Sequence, residues 1–420
     1  MNSRERIVAT CHHQQPDKLP VDFGGGFQTG IHVTMVYQLR QALGLDAPGT
    51  PVKVIEPYQM LGEVSPDLRD ALGIDTVPVF GTGTMFGFKA VEFKKTVFHD
   101  GTPILVPVDF NTEATKNGDM FQYPGGDRSV PPSALMPAGG YFFDSIIRQE
   151  ELDEDNLNPA DNLEEFGPLD GDEIAHYARN VERLYNQTDR ALFCTFGGLS
   201  FGDIALVPAP FLKNPKGIRD IEEWYVSTSI RPDYIKAIFE EQSEIAIQNL
   251  ARLHQAVGDK IAVIQTNATD FGTQSGPFLS GDNFRDLFLP YQKKINGWIH
   301  ANTQWKTFMH SCGGIFPLLD DIIEAEFDIL NPVQCSASSM DARRLKKEYG
   351  DKLVFWGGGI DTQKVLPFGT PHEVREQVKE RIDIFNEGGG FVFCSIHNIQ
   401  AKTPIENLKA MFEVIQEYRA

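Results

Sequence analysis

The stretch Thr303–Gly314, TQWKTFMHSCGG, places an imidazole and a thiol two positions apart where an apolar run ends in paired glycines. Side chains alternate faces along an extended strand, so His310 and Cys312 point the same way, with Phe308 beneath them. Imidazole nitrogen and thiolate sulfur together are a donor set that zinc accepts readily, and two such groups make half of a tetrahedral site. Cys394 and His397, in FVFCSIHNIQ, close another apolar run, and either could supply the third donor. Cys335, in NPVQCSA, ranks behind them, because a packed structural thiol is the commoner fate of such a residue. Three protein ligands with one open position is the pattern of a catalytic zinc, whose free corner takes a substrate thiol or oxygen and lowers its pKa. The competing reading of His310 and Cys312 is a polar strand end, with the imidazole on a backbone carbonyl and the thiol packed as a small hydrophobe.

Other polar residues follow other apolar runs. Asp270 and Gln274, in TDFGTQSGP, sit where substrate-positioning groups belong, and Asp361, in WGGGIDTQ, follows three glycines that permit close approach of a ligand. Asp361 equally fits an Asx turn or a helix N-cap. The Asp-Phe-Gly at 270–272 is not a kinase signature, since no glycine-rich loop or catalytic-loop sequence accompanies it. Asp22 with Gly24–Gly26, and GGLSFGD at Gly197–Asp203, are two more stretches that could line a site or simply be loops.

The elements that must position these groups read as strands and helices in alternation. Short β-rich runs occur at Lys18–Phe23, Ala191–Phe196, Ile261–Gln265, Trp305–His310, Phe327–Leu330, Leu353–Trp356 and Phe391–Cys394. Near-continuous apolar strands suit a parallel sheet covered on both faces. Between them, helical stripes run over Tyr234–Val257, over Ile315, Leu318, Leu319, Ile322 and Ile323, and from a Thr370 cap through Val374, Val378, Ile382 and Phe385. The polar residues cluster directly after the strands, as in a (β/α)₈ TIM barrel, and no Gly-x-Gly-x-x-Gly supports a dinucleotide fold. Residues 81–168 are rich in proline, glycine and acidic residues, and read as an insertion or lid with a hairpin around Val91–Val106. The whole chain, 1–420, is otherwise one barrel domain.

Composition removes several function classes. With 41% hydrophobic residues the 420-residue chain can bury a large core, and no apolar run is long enough to span a bilayer. A formal charge of −20 with no basic cluster opposes binding to nucleic acid or anionic membranes. Five scattered cysteines do not form a disulfide framework, which fits a reducing compartment, the cytoplasm. The N-terminal MNSRERIVATCHHQQ lacks the hydrophobic stretch and cleavage site of an export signal, and reads as an amphipathic helix.

The order of motifs resembles the uroporphyrinogen decarboxylase superfamily, in particular its corrinoid-linked methyltransferase branch. The likeness runs from RERIVATCHHQQPDKLPVDF through HSCGG, DILNPVQ, LKKEYGDKLVFWGGGIDTQ and LPFGTPHEV to GGGFVFCSIHNIQAKTPIENLKAM, and is weakest over 81–168. It implies a (β/α)₈ barrel with its site in a cleft at the C-terminal ends of the strands. The decarboxylases of that superfamily carry an arginine-rich signature near the N-terminus that holds the substrate's carboxylates, whereas DFGGGFQTGIHVT stands here. The methyltransferases carry His-x-Cys and a distant cysteine as zinc ligands, which maps onto His310, Cys312 and Cys394, while an ungapped match of TPIENLKAM puts the third ligand nearer His397. The resemblance thus implies a zinc-dependent methyltransferase, working with a corrinoid (cobalamin) on a partner protein and a small-molecule methyl donor or acceptor. The alternative it leaves is a metal-free decarboxylase of a porphyrinogen-like or aromatic acid, with Asp361 stabilising the protonated ring. A homodimer is allowed by the sequence but not required.

Overall fold

The computed structural model describes residues 1–112 and 114–420. Seven strands, Thr76–Val79, Ala191–Thr195, Val263–Asn267, Lys306–His310, Ile329–Asn331, Val354–Trp356 and Phe391–Val392, pair in chain order, each parallel to the next. The residues around Val21 close the ring. Asp22 N donates to Phe393 O at 2.9 Å, Phe393 N to Pro20 O at 2.8 Å, and Asp75 N to Val21 O at 2.8 Å. The run Lys18–Phe23 therefore supplies the first rung, but only as a single bridge, because Pro20 has no N–H to donate and glycines follow at 24–26. Thr76–Val79 is a barrel strand that the hydrophobic runs did not reveal; Pro78 in its middle breaks the usual strand pattern.

Alternation along these strands divides the core into two layers. Phe193, Val263, Phe308, Ile329, Val354, Trp356, Val392 and Cys394 form one buried cluster inside the ring, with Ile7 and Cys11 of the N-terminal helix Ser3–Cys11 against it. Met309, Leu330 and Phe355, each one residue out of step, belong to the larger cluster that packs the sheet on its surrounding helices. A buried ionic knot ties the chain ends to this ring. Asp75, fully buried, takes Arg6 at 2.6 Å, Arg419 at 2.7 Å and the Val21 amide at 2.9 Å.

The expected helices are present with shifted ends. The longest runs from Pro232 to Val257. The stripe beginning at Ile315 is split into a short 3₁₀ turn, Phe316–Leu318, and the helix Leu319–Glu324, since Pro317 is tolerated only in a first turn. Thr370 and Glu373 form a reciprocal capping box at the start of Pro371–Phe385. Thr370→Ala is expected to cost about 1 kcal/mol in urea unfolding, with no change at the site.

Within 81–168 the strands Phe93–Val97 and Pro103–Pro107 pair antiparallel, giving the expected hairpin. Val52–Glu56 and Leu61–Gly62 join them in a four-stranded sheet, so the hairpin is anchored on residues that precede the segment. A separate three-stranded sheet follows at Met120–Gln122, Ala134–Met136 and Asp144–Ser145. Among the described residues no helix is long and apolar enough to cross a membrane.

Candidate metal centre and the adjoining cavity

His310 is the last residue of its strand and continues the inward alternation set by Phe308. Asn331 does the same on the neighbouring strand, one step above Ile329. Their side chains meet, with His310 Nδ1 and Asn331 Oδ1 2.6 Å apart. The Asn331 amide nitrogen donates to Trp356 O at 2.7 Å, which fixes the amide so that its oxygen faces the imidazole. Nδ1 therefore carries the proton, and the lone pair of Nε2 points to the other side. There it finds the Cys312 sulfur at 3.5 Å.

Cys312 is held by its own loop. Its amide donates to Asp270 Oδ1 at 2.6 Å, and the next amide, of Gly313, donates to Gln334 Oε1 at 2.7 Å. Gly313 has φ +94°, and a Cβ there would stand 2.2 Å from the carbonyl carbon of Gly272. No side chain fits between these two strand-end loops.

His397 completes the group. One donor atom from each of His310, Cys312 and His397 lies within 4.8 Å of the other two, and the two imidazole rings are 5.5 Å apart, edge to face. For zinc bonds of about 2.3 Å to sulfur and 2.05 Å to nitrogen, a tetrahedral edge is about 3.6 Å, close to the His310–Cys312 separation. Burial lowers the pKa of both imidazoles to about 4, His310 adding to the effect on His397. Burial first, and the charge of Asp270 second, push the Cys312 thiol well above its ordinary value. The site thus offers two neutral imidazoles and one protonated thiol at neutral pH.

Cys394 is not part of this group. It is fully buried in the apolar interior of the ring, in one cluster with Phe193, Phe308 and Trp356, and its sulfur donates to Ser395 O at 3.2 Å. The strand ends at Val392, and the five residues that follow, three of them beyond Cys394, bring His397 to the level of His310. Of the two residues between which the sequence left the choice open, His397 is in the group of three donors and Cys394 is not. Cys335 is likewise outside the group.

Of the other expected residues, Asp270 lies beside the group, with Oδ1 3.9 Å from His310 Nε2. Gln274 does not; it is exposed and donates to Gln363 Oε1 at 2.8 Å, bridging two loops. Asp361 accepts from the amides of Gln363 and Lys364 at 2.7 and 3.2 Å, the Asx-turn role. Asp22 is fully buried and accepts from Gly25 N, Thr76 Oγ1 and Trp356 Nε1, so it braces the ring rather than facing a ligand. Within DILNPVQ, the position of Asn331 two residues beyond inward-facing Ile329 is the sequence signal that finds it.

A cavity of about 580 Å³ opens at the same end of the barrel, lined by residues that follow other strands, with none of the three donors in its wall. Its wall includes Gln265 and Ala268 on the way to Asp270, and Gln59, which accepts from the Asn398 amide next to His397 at 2.8 Å. Asp203 is also in the wall, and its charge adds to the rise in the Cys312 pKa.

Residues 209–418, half of the chain and the half that carries the three donors, match the family profile of uroporphyrinogen decarboxylase (URO-D). The chain belongs to that family. Among URO-D relatives it is 24% identical over 203 residues to the methylcobamide:CoM methyltransferase MtaA of Methanosarcina barkeri, covering 48% of this chain and 54% of that protein. It is also 24% identical over 184 residues to the uroporphyrinogen decarboxylase of Mannheimia succiniciproducens, covering 40% and 48%. The chain thus spans about half the length of the curated relatives it matches. A solved methyltransferase from Methanosarcina mazei superposes over 100% of both chains with a TM-score of 0.55 at 17% identity, which places this URO-D member in the same fold.

Proposed function

We propose that this URO-D family chain is a zinc-dependent methyltransferase that moves a methyl group between a corrinoid on a partner protein and a small thiol, methoxy or related substrate. The observation that carries the reading is the convergence of His310, Cys312 and His397 at one end of the barrel, with donor spacing that suits a tetrahedral ion. The metal, when bound, would act as a Lewis acid that makes a substrate thiol or hydroxyl a nucleophile at neutral pH.

The residues of the chain prepare that chemistry. Asn331 holds His310 as the Nδ1–H tautomer and aims its free lone pair at the site, the outer-shell arrangement typical of ligating histidines. Asp270 fixes the Cys312 backbone and holds its carboxyl 3.9 Å from His310 Nε2. The apolar layer of Phe193, Phe308 and Trp356 beneath the donors excludes water from below. Gly81, Thr84 and Met85 line the adjoining cavity, and on that ground the segment 81–168 is assigned as its cover. Five free cysteines fit a reducing compartment, and we place the protein in the cytoplasm.

The decarboxylase reading has less support, because no Lys, Arg or His among the described residues lines the cavity to hold a multiply charged acid. The test is zinc content of the purified protein together with consumption of methylcobalamin in the presence of simple thiols. Zinc near one per chain and zinc-dependent demethylation are expected. A chelated, metal-free protein that demethylates at the full rate would end the proposal.

A further inference from the structure

Two buried carboxyls face the cavity, and among the described residues no cation meets them. Glu56, 4% exposed, accepts from the amides of Tyr58 and Gln59 at 2.8 and 2.7 Å. Asp203, 9% exposed, accepts from the Ala205 amide at 2.9 Å. Among the described residues neither forms an ion pair. The other two acidic groups of the wall are already engaged, Glu165 with Arg219 at 2.9 Å and Glu173 with the Thr82 amide and hydroxyl. Buried charges are ordinarily paired, and burial raises both Glu56 and Asp203 to about 7, so that a cation arriving beside them would readily ionise them.

The rest of the wall tells what kind of cation fits. Phe27, Tyr58, Phe166 and Phe196 contribute aromatic surface, and Phe27 is fixed by stacking on Phe80 at 4.1 Å. Aromatic faces attract alkylated cations, and a volume of about 580 Å³ suits an organic molecule rather than a bare ion. An anion would meet only like charge.

We propose that the cavity binds a small organic cation whose charged centre carries alkyl groups, such as a quaternary ammonium, with Glu56 and Asp203 as its counter-charges. Both residues lie outside the 209–418 region matched by the family, so this selectivity belongs to the part of the chain that the family match leaves undescribed. The inference goes beyond the methyl-transfer reading and concerns binding alone.

Calorimetric titration of the protein as purified tests it with three probes: choline, its uncharged carbon isostere dimethylbutanol, and propanesulfonate. At about pH 8, where both carboxyls ionise, choline is expected to bind at least about tenfold more tightly than the isostere, and propanesulfonate to give no binding. Asp203→Asn and Glu56→Gln, checked for an unchanged melting transition, are each expected to cost choline about fivefold or more and to leave the isostere unaffected. The two carboxyls stand on different elements, so either variant alone keeps the test if the other fails to fold. Equal binding of choline and isostere, binding of the sulfonate, no choline binding, or a choline preference that survives both substitutions would overturn the proposal. None of these outcomes bears on zinc content or methylcobalamin turnover, so the two readings fail separately.

Discussion

His310→Ala and His397→Ala are each expected to lower zinc affinity by more than about a hundredfold, since loss of an outer-shell partner alone costs roughly 10–100-fold and these residues would be direct ligands. Cys394→Ala is the informative control. Its thiol sits in the apolar interior with Phe193 and Trp356, so zinc affinity should stay within about twofold while stability falls by about 1 kcal/mol. Asn331→Leu should fall between, losing roughly 10–100-fold, because it removes the acceptor that holds His310 Nδ1–H and leaves the three donors in place. Competition against a chromophoric chelator reads all four variants. If Cys394→Ala loses zinc and His397→Ala keeps it, the geometric assignment of the third ligand is wrong.

That contrast between 394 and 397 also marks how far the sequence could be read. The barrel was legible because its strands are short apolar runs ending in polar clusters, and Phe308, His310 and Cys312 keep the period of two that an extended chain demands. The inward position of Cys394 obeys the same period, which is why it lands one layer too deep among aromatic rings. What lifts His397 to the level of His310 is the irregular stretch after Val392, where Ser395 Oγ donates to His397 O at 2.6 Å, and irregular backbone has no period to read. Asp361 and Gln274 stand after strands as site residues should, yet one spends its carboxylate on local amides and the other reaches across to Gln363. Turn chemistry and site chemistry use the same residue types, so the sequence alone could not separate them. The cavity was legible only in part: the stretch Gly197–Asp203, which the sequence offered as a site lining, is in its wall, whereas Glu56, 147 positions before Asp203 (203 minus 56), joins that lining only through the fold.

Zinc affinity is expected to rise about tenfold for each pH unit between pH 6 and 8, because binding must release the proton of one thiol. The sign follows from the two kinds of donor. Burial and the neighbouring Asp270 charge keep Cys312 protonated well above its ordinary value, so across this range the metal competes with one proton at sulfur, and raising the pH favours the metal. His310 and His397, both lowered to about 4, are already neutral at pH 6 and add no slope there. Two exposed histidines titrating near 6.5 would instead steepen the dependence on approach to pH 6. The same burial acts on the metal-free fold: as pH falls from 6.5 to about 4 the unfolded chain takes up these two protons first, and stability is lost over that window. Chelator competition at pH 6, 7 and 8, with calorimetry in buffers of different ionisation enthalpy, measures both the slope and the protons released. A flat profile over that range, or release of fewer than about half a proton per metal, would mean that the Cys312 sulfur does not enter the coordination sphere as a thiolate.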